Sequence, residues 1–186
     1  MKKKKFTKIR ENITEVEYQK LLTYLNGKED LTINTKNNLR RTFILLYFTG
    51  MRVNEVKQLK IKDINTIYEK EELIIVTHKT RKERKLFFSK EAIKQIKKHF
   101  VFNDNSKDED FIITTKGNPL KTPSSSTFIA KVNSFIQEVL GNRYSSHSFR
   151  AGIITDMSKS INPKFIKEFI GDSDIKTTMK YIRLID

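Results

Sequence analysis

Residues 39–55 read LRRTFILLYFTGMRVNE, and the apolar positions of the first part recur at the spacing of an α-helix. One face of that helix would carry Leu39, Phe43, Leu46 and Tyr47. Gly50 follows at the position where helices commonly end in the left-handed conformation. We therefore predict a largely buried helix from about Thr35 to this glycine, and a short helix from about Val53 to Leu59 directly after it.

The sequence on either side predicts a further helix and a hairpin. Upstream, Thr14-Glu15-Val16-Glu17 has the form of a capping box, and the apolar residues after it predict an amphipathic helix ending near Asn26-Gly27. Downstream, the strand-like runs 73–76 and 86–88 flank a basic segment, residues 78–85. This arrangement predicts an antiparallel β-hairpin with a cationic tip.

The rest of the chain predicts mainly helices. Ser89 can cap a helix through Phe100, and apolar residues at helical spacing past Pro123 predict another. Residues 147–186 predict helices interrupted at two places, Asn162-Pro163 and Gly171-Asp172. No internal repeat or linker divides the chain, so the predicted fold is α+β, mostly helical, in one domain with a small antiparallel sheet.

The chain carries 37 Lys and Arg residues against 22 Asp and Glu residues, a formal net charge of +15 among 186 residues. A surplus of this size is typical of proteins that bind a polyanion, and nucleic acid is the first candidate. A solvated, Lys-rich surface encoded by an AT-rich genome would give the same composition, because Lys, Asn and Ile are all abundant. The positions of the basic residues have to separate these two interpretations.

Residue types that the sequence lacks exclude several kinds of site. It contains no Cys and only three His residues, which excludes disulfides, thiol nucleophiles and zinc fingers and argues against a transition-metal site. The acidic segment from Asp104 to Asp110 partly matches a calcium loop, but Glu109 and Thr115 stand where a Gly and an acid are needed. We interpret it as a solvated loop, and we expect no metal and no cofactor, since Gly-rich NTPase phosphate loops are also absent.

Two further expectations concern location. No apolar run approaches the roughly 18 residues that a bilayer helix needs, and the first residues lack the apolar region of a signal peptide. We therefore expect a soluble intracellular chain with no membrane partner, located in the cytoplasm or on the nucleoid.

Two places in the helical part carry side chains that suit phosphate chemistry. Arg52 follows the buried helix and could direct its guanidinium into a cleft, or could pair with Glu55 at the surface. His147 and Arg150 stand three residues apart on a predicted helix. They could contact the same phosphate, or they could form a solvated face.

Two more places lie in the hairpin and near the carboxyl end. Lys79 could donate a proton to an alkoxide leaving group, or could belong to an ordinary charged run. Tyr181 could serve as a nucleophile, or could pack as a core or rim aromatic residue. Each signal is weak alone, so their order along the chain decides the interpretation.

In chain order the sequence has Thr-Gly-Met-Arg-x-x-Glu at 49–55, a hairpin lysine at Lys79, His-x-x-Arg at 147–150, and Ile-Gly-Asp at 170–172 followed by Tyr181. This ordered set resembles the catalytic domain of the tyrosine recombinases, the phage-integrase family, with the type IB topoisomerases as more distant relatives. The resemblance covers nearly the whole chain, and four matches in order are far more specific than any one of them.

The resemblance implies roles for the matching residues. Arg52 and Arg150 would clamp the scissile phosphate. Glu55 would hold Arg52 in position without contacting the phosphate itself. Lys79 matches the first lysine of a Gly-Lys-x-x-Lys-Glu-Arg type hairpin and would be the general acid, with Lys82 as its nearest rival.

The remaining roles complete the chemistry. His147 would assist as an acid or base, and Tyr181 would attack phosphorus to form a 3′-phosphotyrosine and release a 5′-hydroxyl. A phenol with a pKa of about 10 is a poor nucleophile until nearby cations neutralise the charge that builds on phosphorus, so neither metal nor ATP is expected. The basic side chains of the hairpin are expected to contact double-stranded DNA: Arg81, Lys82, Arg84 and Lys85.

The sequence departs from the family pattern in three respects. Asp172 occupies a catalytic position that usually holds His or Trp, where a carboxylate would repel phosphate unless an arginine or a proton neutralises it. Only a short basic arm, residues 1–12, precedes the catalytic domain, residues 13–186, where relatives generally have a separate DNA-binding domain. The chain also stops five residues after Tyr181, before the tail segment that docks on a neighbouring protomer in many relatives, so we expect a monomer in isolation. The resemblance leaves a homo-tetramer on paired DNA sites as an open possibility.

The implied function is that of a site-specific DNA recombinase or integrase. Two alternatives stay open at this point. One is a non-catalytic DNA-binding relative in which Asp172 has ended the chemistry, and the other is a type IB topoisomerase-like enzyme that nicks and recloses DNA.

Overall fold

The computed structural model describes residues 11–77, 83–171 and 179, and within them it shows eight helices and one two-stranded sheet. In chain order the elements are α1 (Glu15–Gly27), α2 (Ile33–Thr49), α3 (Val53–Gln58), α4 (Ile61–Lys70), β1 (Glu72–Val76), β2 (Glu83–Phe87), α5 (Lys90–His99), α6 (Ser125–Leu140), α7 (Ser146–Ser158) and α8 (Pro163–Ile170). The mostly helical α+β class is confirmed. Among the described residues, no helix is long and apolar enough to cross a bilayer.

Helix α2 lies at the centre of the fold and packs against α1, α3, α5 and α7. Residues 43–46 are all fully buried, so burial extends around the helix beyond the predicted apolar face. The helix begins at Ile33, where the Thr32 hydroxyl accepts a hydrogen bond from the backbone N–H three residues later at 3.2 Å. It ends as predicted, with Gly50 in the left-handed conformation at φ 61° and its N–H donating to the Leu46 carbonyl.

The predicted hairpin is also present. β1 and β2 pair antiparallel, with Glu72 opposite Phe87 and Val76 opposite Glu83. β2 begins three residues before the predicted run, because the pairing continues through charged residues. Alternation along the strands buries four side chains: Leu73, Ile75, Arg84 and Leu86.

The sequence predicts no element in residues 60–72, yet α4 occupies most of this segment. Ile61, Ile64 and Ile67 form its buried face. The Asp63 carboxylate caps the first turn, since it accepts a hydrogen bond from the Lys60 backbone N–H at 2.8 Å. Three apolar positions spaced among charged residues are a weak pattern beside the apolar strand that follows.

The other helices begin near their predicted positions, each with a polar side chain at its cap. Ser89 Oγ accepts a hydrogen bond from the Ala92 N–H at 3.2 Å at the start of α5. Asn162 caps α8, and Pro163 occupies the first helical position, where its missing N–H costs nothing. These caps depend on local sequence, which is why the sequence predicts them well.

Arg41 attaches the loop after α5 to the central helix. Its Nη1 donates to the Ile112 carbonyl at 2.8 Å and its Nη2 donates to the Val101 carbonyl at 3.1 Å. The guanidinium also lies over the ring of Phe102, 4.8 Å from its centroid. Burial lowers the pKa of Arg41 to about 10, so the group is still charged at neutral pH.

Gly152 allows the segment before α1 to lie directly on α7. The Ile13 N–H donates to the Ser148 carbonyl at 3.1 Å, and a Cβ at Gly152 would overlap the Ile13 carbonyl oxygen. Asn12 adds a contact, since its amide donates to Thr155 Oγ1 at 3.0 Å. Of the predicted basic arm, residues 1–10 lie outside the described residues.

Replacing Gly152 with Ala should lower the free energy of unfolding by about 1–3 kcal/mol, because a methyl group forced into a tight contact displaces its neighbours. Gly27→Ala is the matched control, since an ideal Cβ there meets nothing within 4 Å. That change should leave the stability unchanged or slightly raised. Urea unfolding followed by circular dichroism measures both variants, and equal midpoints would contradict the close approach of Ile13 to α7.

Candidate active site

Arg52 is placed at a cleft by the turn between α2 and α3. The left-handed Gly50 turns the chain, and Thr49 Oγ1 accepts a hydrogen bond from the Met51 N–H at 3.2 Å. An ideal Cβ at Gly50 would lie 2.9 Å from Ile170 Cδ1, so glycine suits both the φ angle and the space. Arg52 then occupies the N-cap position of α3, with 31% of its side chain exposed.

Glu55 is buried, and its carboxylate orients Arg52. Glu55 Oε1 accepts from Arg52 Nη1 at 3.1 Å, and Oε2 accepts from the Arg52 backbone N–H at 2.8 Å. A second guanidinium reaches the same group, because Arg84 Nη2 donates to Oε2 at 2.7 Å. The contact that the resemblance implies between Glu55 and Arg52 is therefore present, and the carboxylate faces two positive charges.

His147 and Arg150 both come from the first half of α7, but they lie at different depths. His147 is exposed, whereas Arg150 is only 4% exposed. Arg150 Nη1 donates to the Gly50 carbonyl at 3.0 Å, and Nη2 donates to the Ile170 carbonyl at 2.7 Å. Arg150 thus connects α7 with the α2–α3 turn and with the end of α8.

One cleft of about 270 Å³ is lined by Arg52, Glu55, His147 and Arg150 together. The first turn of α7 forms part of its wall, and the positive end of that helix dipole adds to the charge of the two guanidiniums. An anion with several acceptor oxygens, such as a phosphate group, fits this set of donors. The sequence positions singled out around residues 52 and 150 therefore meet in space.

Five of the predicted site residues lie outside the described residues: Lys79, Arg81, Lys82, Asp172 and Tyr181. The described ends of the two segments that contain them lie beside the cleft. An ideal Cβ on Gly171, the last residue described before Asp172, would be 3.2 Å from Thr77 Cγ2. Thr77 directly precedes the hairpin tip and is 2% exposed.

The structure corrects the prediction for Arg84, which the sequence places among the DNA contacts of the hairpin. Its side chain is 3% exposed and bonds to Glu55 and to backbone carbonyls at the end of α8. The physical reason is strand alternation, which turns residue 84 inward with Leu86. Lys85 points outward and forms a 2.5 Å ion pair with Glu72.

Carboxylates of the acidic loop, residues 104–110, form ion pairs and hydrogen bonds with neighbouring side chains. Glu109 lies 2.5 Å from Lys60 Nζ and 2.6 Å from Lys62 Nζ, and these hydrogen bonds lower its pKa to about 2. Asp108 accepts from the Asn65 amide at 3.0 Å. Within the part of the chain that the structure describes, no three His, Asp or Glu residues are grouped so as to hold a metal ion.

The fold and the cleft together define a cationic, mostly helical α+β domain with an arginine-lined cleft. The model of the phage integrase family matches residues 11–186, and the chain belongs to that family.

Two curated relatives are named as tyrosine recombinases. The chain is 26% identical over 175 residues to the tyrosine recombinase XerA of Pyrococcus horikoshii, an alignment that covers 93% of this chain and 56% of that protein. It is 30% identical over 152 residues to a tyrosine recombinase of Agathobacter rectalis, covering 78% of this chain and 48% of that protein. The chain thus spans about half the length of these two relatives.

Solved structures show the same fold. The crystal structure of XerA recombinase matches with a TM-score of 0.68 at 16% identity, over 98% of this chain and 61% of that chain. The catalytic domain of bacteriophage HP1 integrase matches with a TM-score of 0.58 at 15% identity, over 94% of this chain and 88% of that chain. The crystal structure of a XerH site-specific recombinase, bound to palindromic difH substrate in a post-cleavage complex, matches with a TM-score of 0.67 at 20% identity. This match covers 95% of this chain and 50% of that chain.

Glu55→Gln should lower the free energy of unfolding by about 3–5 kcal/mol, because two guanidiniums lose the charge that balances them in a buried place. Glu109→Gln is the control, since that exposed carboxylate also pairs with two cations and exposed ion pairs contribute little. Urea unfolding measures both variants. Similar midpoints for the two would contradict a structural dependence on the Glu55 carboxylate.

Proposed function

We propose that this chain supplies the catalytic part of a site-specific DNA recombinase or integrase. The observation that carries the proposal is that Arg52 and Arg150, from distant parts of the sequence, line one cleft with His147 in a member of the phage integrase family. The names of the curated relatives and the XerH complex with difH support DNA as the substrate. The net charge of +15 supports the same partner.

In this proposal Arg52 and Arg150 bind the scissile phosphate. A planar guanidinium matches two phosphate oxygens and does not lose its proton. Glu55 and the carbonyl groups of Gly50 and Ile170 hold the two arginines in place before DNA arrives. Donors fixed in advance stabilise the charge of the transition state without reorganising during the reaction.

The covalent step follows from these charges. The Tyr181 oxygen forms a bond to phosphorus while the bond from phosphorus to the 5′ oxygen breaks, and Lys79 gives that oxygen a proton. His147 assists as acid or base from the exposed side of the cleft, and as base it takes the proton that the Tyr181 hydroxyl loses. The 3′-phosphotyrosine keeps the phosphate activated, so a 5′-hydroxyl from another strand can reverse the attack without ATP or metal.

Assembly and location complete the proposal. We expect a monomer in isolation, a homo-tetramer on two paired double-stranded DNA sites, and association with the nucleoid. The second candidate is a DNA-binding relative without cleavage, and the observation that favours it is the carboxylate of Asp172 at a catalytic position of the family.

Tyr181→Phe should abolish the covalent protein–DNA adduct and leave DNA affinity nearly unchanged, because the hydroxyl serves the chemistry rather than the binding. The probe is a library of nicked duplexes with a randomised centre, from which the short 5′-hydroxyl fragment diffuses away after cleavage. Adduct is measured in SDS after reaction in EDTA. Tyr24→Phe is the matched control, since the exposed Tyr24 does not line the cleft and its hydroxyl donates to Glu138 Oε1 at 2.7 Å.

The adduct assay, together with relaxation of a supercoiled plasmid, separates the alternatives. Binding by the wild-type protein without any adduct would support the non-catalytic relative and contradict the proposed function. Relaxation of any supercoiled plasmid without strand exchange would support a type IB topoisomerase-like enzyme. Adduct formation by Tyr181→Phe would assign the nucleophile to another residue.

Replacing Arg81 and Lys82 with Ala should weaken DNA binding and reduce the slope of log K against log salt by about 0.9 for each phosphate that the protein no longer neutralises. Lys62→Ala is the control, because Lys62 lies on α4 and pairs with Glu109 at 2.6 Å. That change should leave the slope as it is. Titration of a fluorescent duplex at several salt concentrations measures the slope, and an affinity independent of salt would refute the electrostatic account.

A further inference from the structure

Arg84 is a buried charge that the proposed chemistry does not use. It lies on the inward face of β2 and contacts two other elements. Nη2 donates to Glu55 Oε2 at 2.7 Å, and Nη1 donates to the carbonyls of Phe169 and Ile170, each at 2.7 Å. One side chain therefore joins the hairpin to α3 and to the end of α8.

The end of α8 is an acceptor that two arginines share. The Ile170 carbonyl accepts hydrogen bonds from Arg84 Nη1 and from Arg150 Nη2, both at 2.7 Å. The last carbonyls of a helix have no partner within the helix and carry the negative end of its dipole, so guanidiniums bind there favourably. Arg84 is thus linked to Arg150 through one oxygen and to Arg52 through the Glu55 carboxylate.

Gly171 brings the base of the hairpin into contact with the end of α8. Its φ is 70°, and an ideal Cβ would lie 2.6 Å from Arg84 Cδ and 3.2 Å from Thr77 Cγ2. Thr77 stands two positions before Lys79 in the sequence. Thr77, directly after β1, and Arg84 on β2 therefore both pack on Gly171, the residue that caps α8.

We propose that Arg84 is a positioning residue that fixes the hairpin carrying Lys79 to the arginine clamp and to the end of α8. It acts through Lys79 and does not contact DNA. This inference rests on the proposed function, in which Lys79 protonates the departing 5′ oxygen. A lysine at position 84 cannot replace it, because one ammonium group does not span acceptors on two elements as the planar guanidinium does.

The test compares two leaving groups in single-turnover cleavage, with enzyme in excess over a nicked duplex that the wild-type protein selects from the randomised library by adduct formation. In an ordinary duplex the departing 5′ oxygen needs a proton, whereas sulfur in place of that bridging oxygen leaves as a thiolate and needs none. Arg84→Lys and Arg84→Met should slow cleavage of the oxygen substrate by about 100-fold, as a misplaced catalytic group does. On the sulfur substrate the factor by which these variants slow cleavage should be smaller by about tenfold or more, since a general acid contributes about 10²–10⁴-fold to the rate.

Two controls accompany these variants. Arg40→Met removes an arginine that bonds to Asn26 and Asn37 outside the cleft, and it should cleave both substrates like the wild type. Gly171→Ala should reproduce the loss on the oxygen substrate and its recovery with sulfur. Gly117→Ala should not, because Gly117 has a similar φ of 75° but nothing within 4 Å of an ideal Cβ. The glycine pair keeps the test decisive where an Arg84 variant fails to fold.

Cleavage at the wild-type rate by Arg84→Lys would overturn the inference, and so would an equal loss on both substrates. A loss confined to DNA affinity would also overturn it, because that result identifies Arg84 as a DNA contact. Absence of adduct from the wild-type protein on either substrate would instead contradict the proposed function, and this outcome is visible before any variant is compared.

Discussion

The carboxylate of Glu55 lies buried between the guanidiniums of Arg52 and Arg84, and the relation of the hairpin to the helices depends on this contact. Taking a carboxylate out of water costs several kcal/mol, which only close charges and well-placed hydrogen bonds offset. Here both carboxylate oxygens accept hydrogen bonds, from two guanidiniums and a backbone N–H. Because Glu55 belongs to α3 and Arg84 to β2, balancing this charge requires the hairpin to dock against the turn that presents Arg52.

Three guanidiniums near one place would repel one another if nothing else held them. Glu55 balances part of the charge, and backbone carbonyls at residues 50, 169 and 170 accept further hydrogen bonds from Arg84 and Arg150. Carbonyl dipoles orient a guanidinium without neutralising its charge. The protein thus holds these cations with one carboxylate and with neutral backbone acceptors, an arrangement that suits the phosphate-binding role proposed above.

The parts of the fold that the sequence predicts correctly depend on neighbours in the chain. Gly50 after an apolar helix and Ser89 before another act within one turn, so their positions are readable from the sequence. The prediction misses α4, although its three isoleucines recur three residues apart among charged and polar residues, because the apolar strand that follows dominates the segment. The sequence assigns Arg84 to the wrong surface because its partners lie on α3 and α8, far away in sequence, and a run of basic residues hides the alternation of a strand. Local pattern cannot reveal a contact whose energy comes from distant segments.

The hydrogen bonds of Arg84 to Glu55 and to the end of α8 also fix the register of the hairpin, which its apolar residues determine only weakly. Ile74, Val76 and Phe87 are 55–59% exposed on the outer face, while Leu73, Ile75 and Leu86 are buried on the inner face. A slip of one residue would exchange the two faces, and apolar burial alone would oppose that slip weakly. The same slip would turn Glu83 and Lys85 inward and Arg84 outward, and it would leave the Glu55 carboxylate buried with one guanidinium instead of two. Since removing a partner from a buried charge is far more costly than exchanging one apolar side chain for another, Arg84 makes the observed register the stable one.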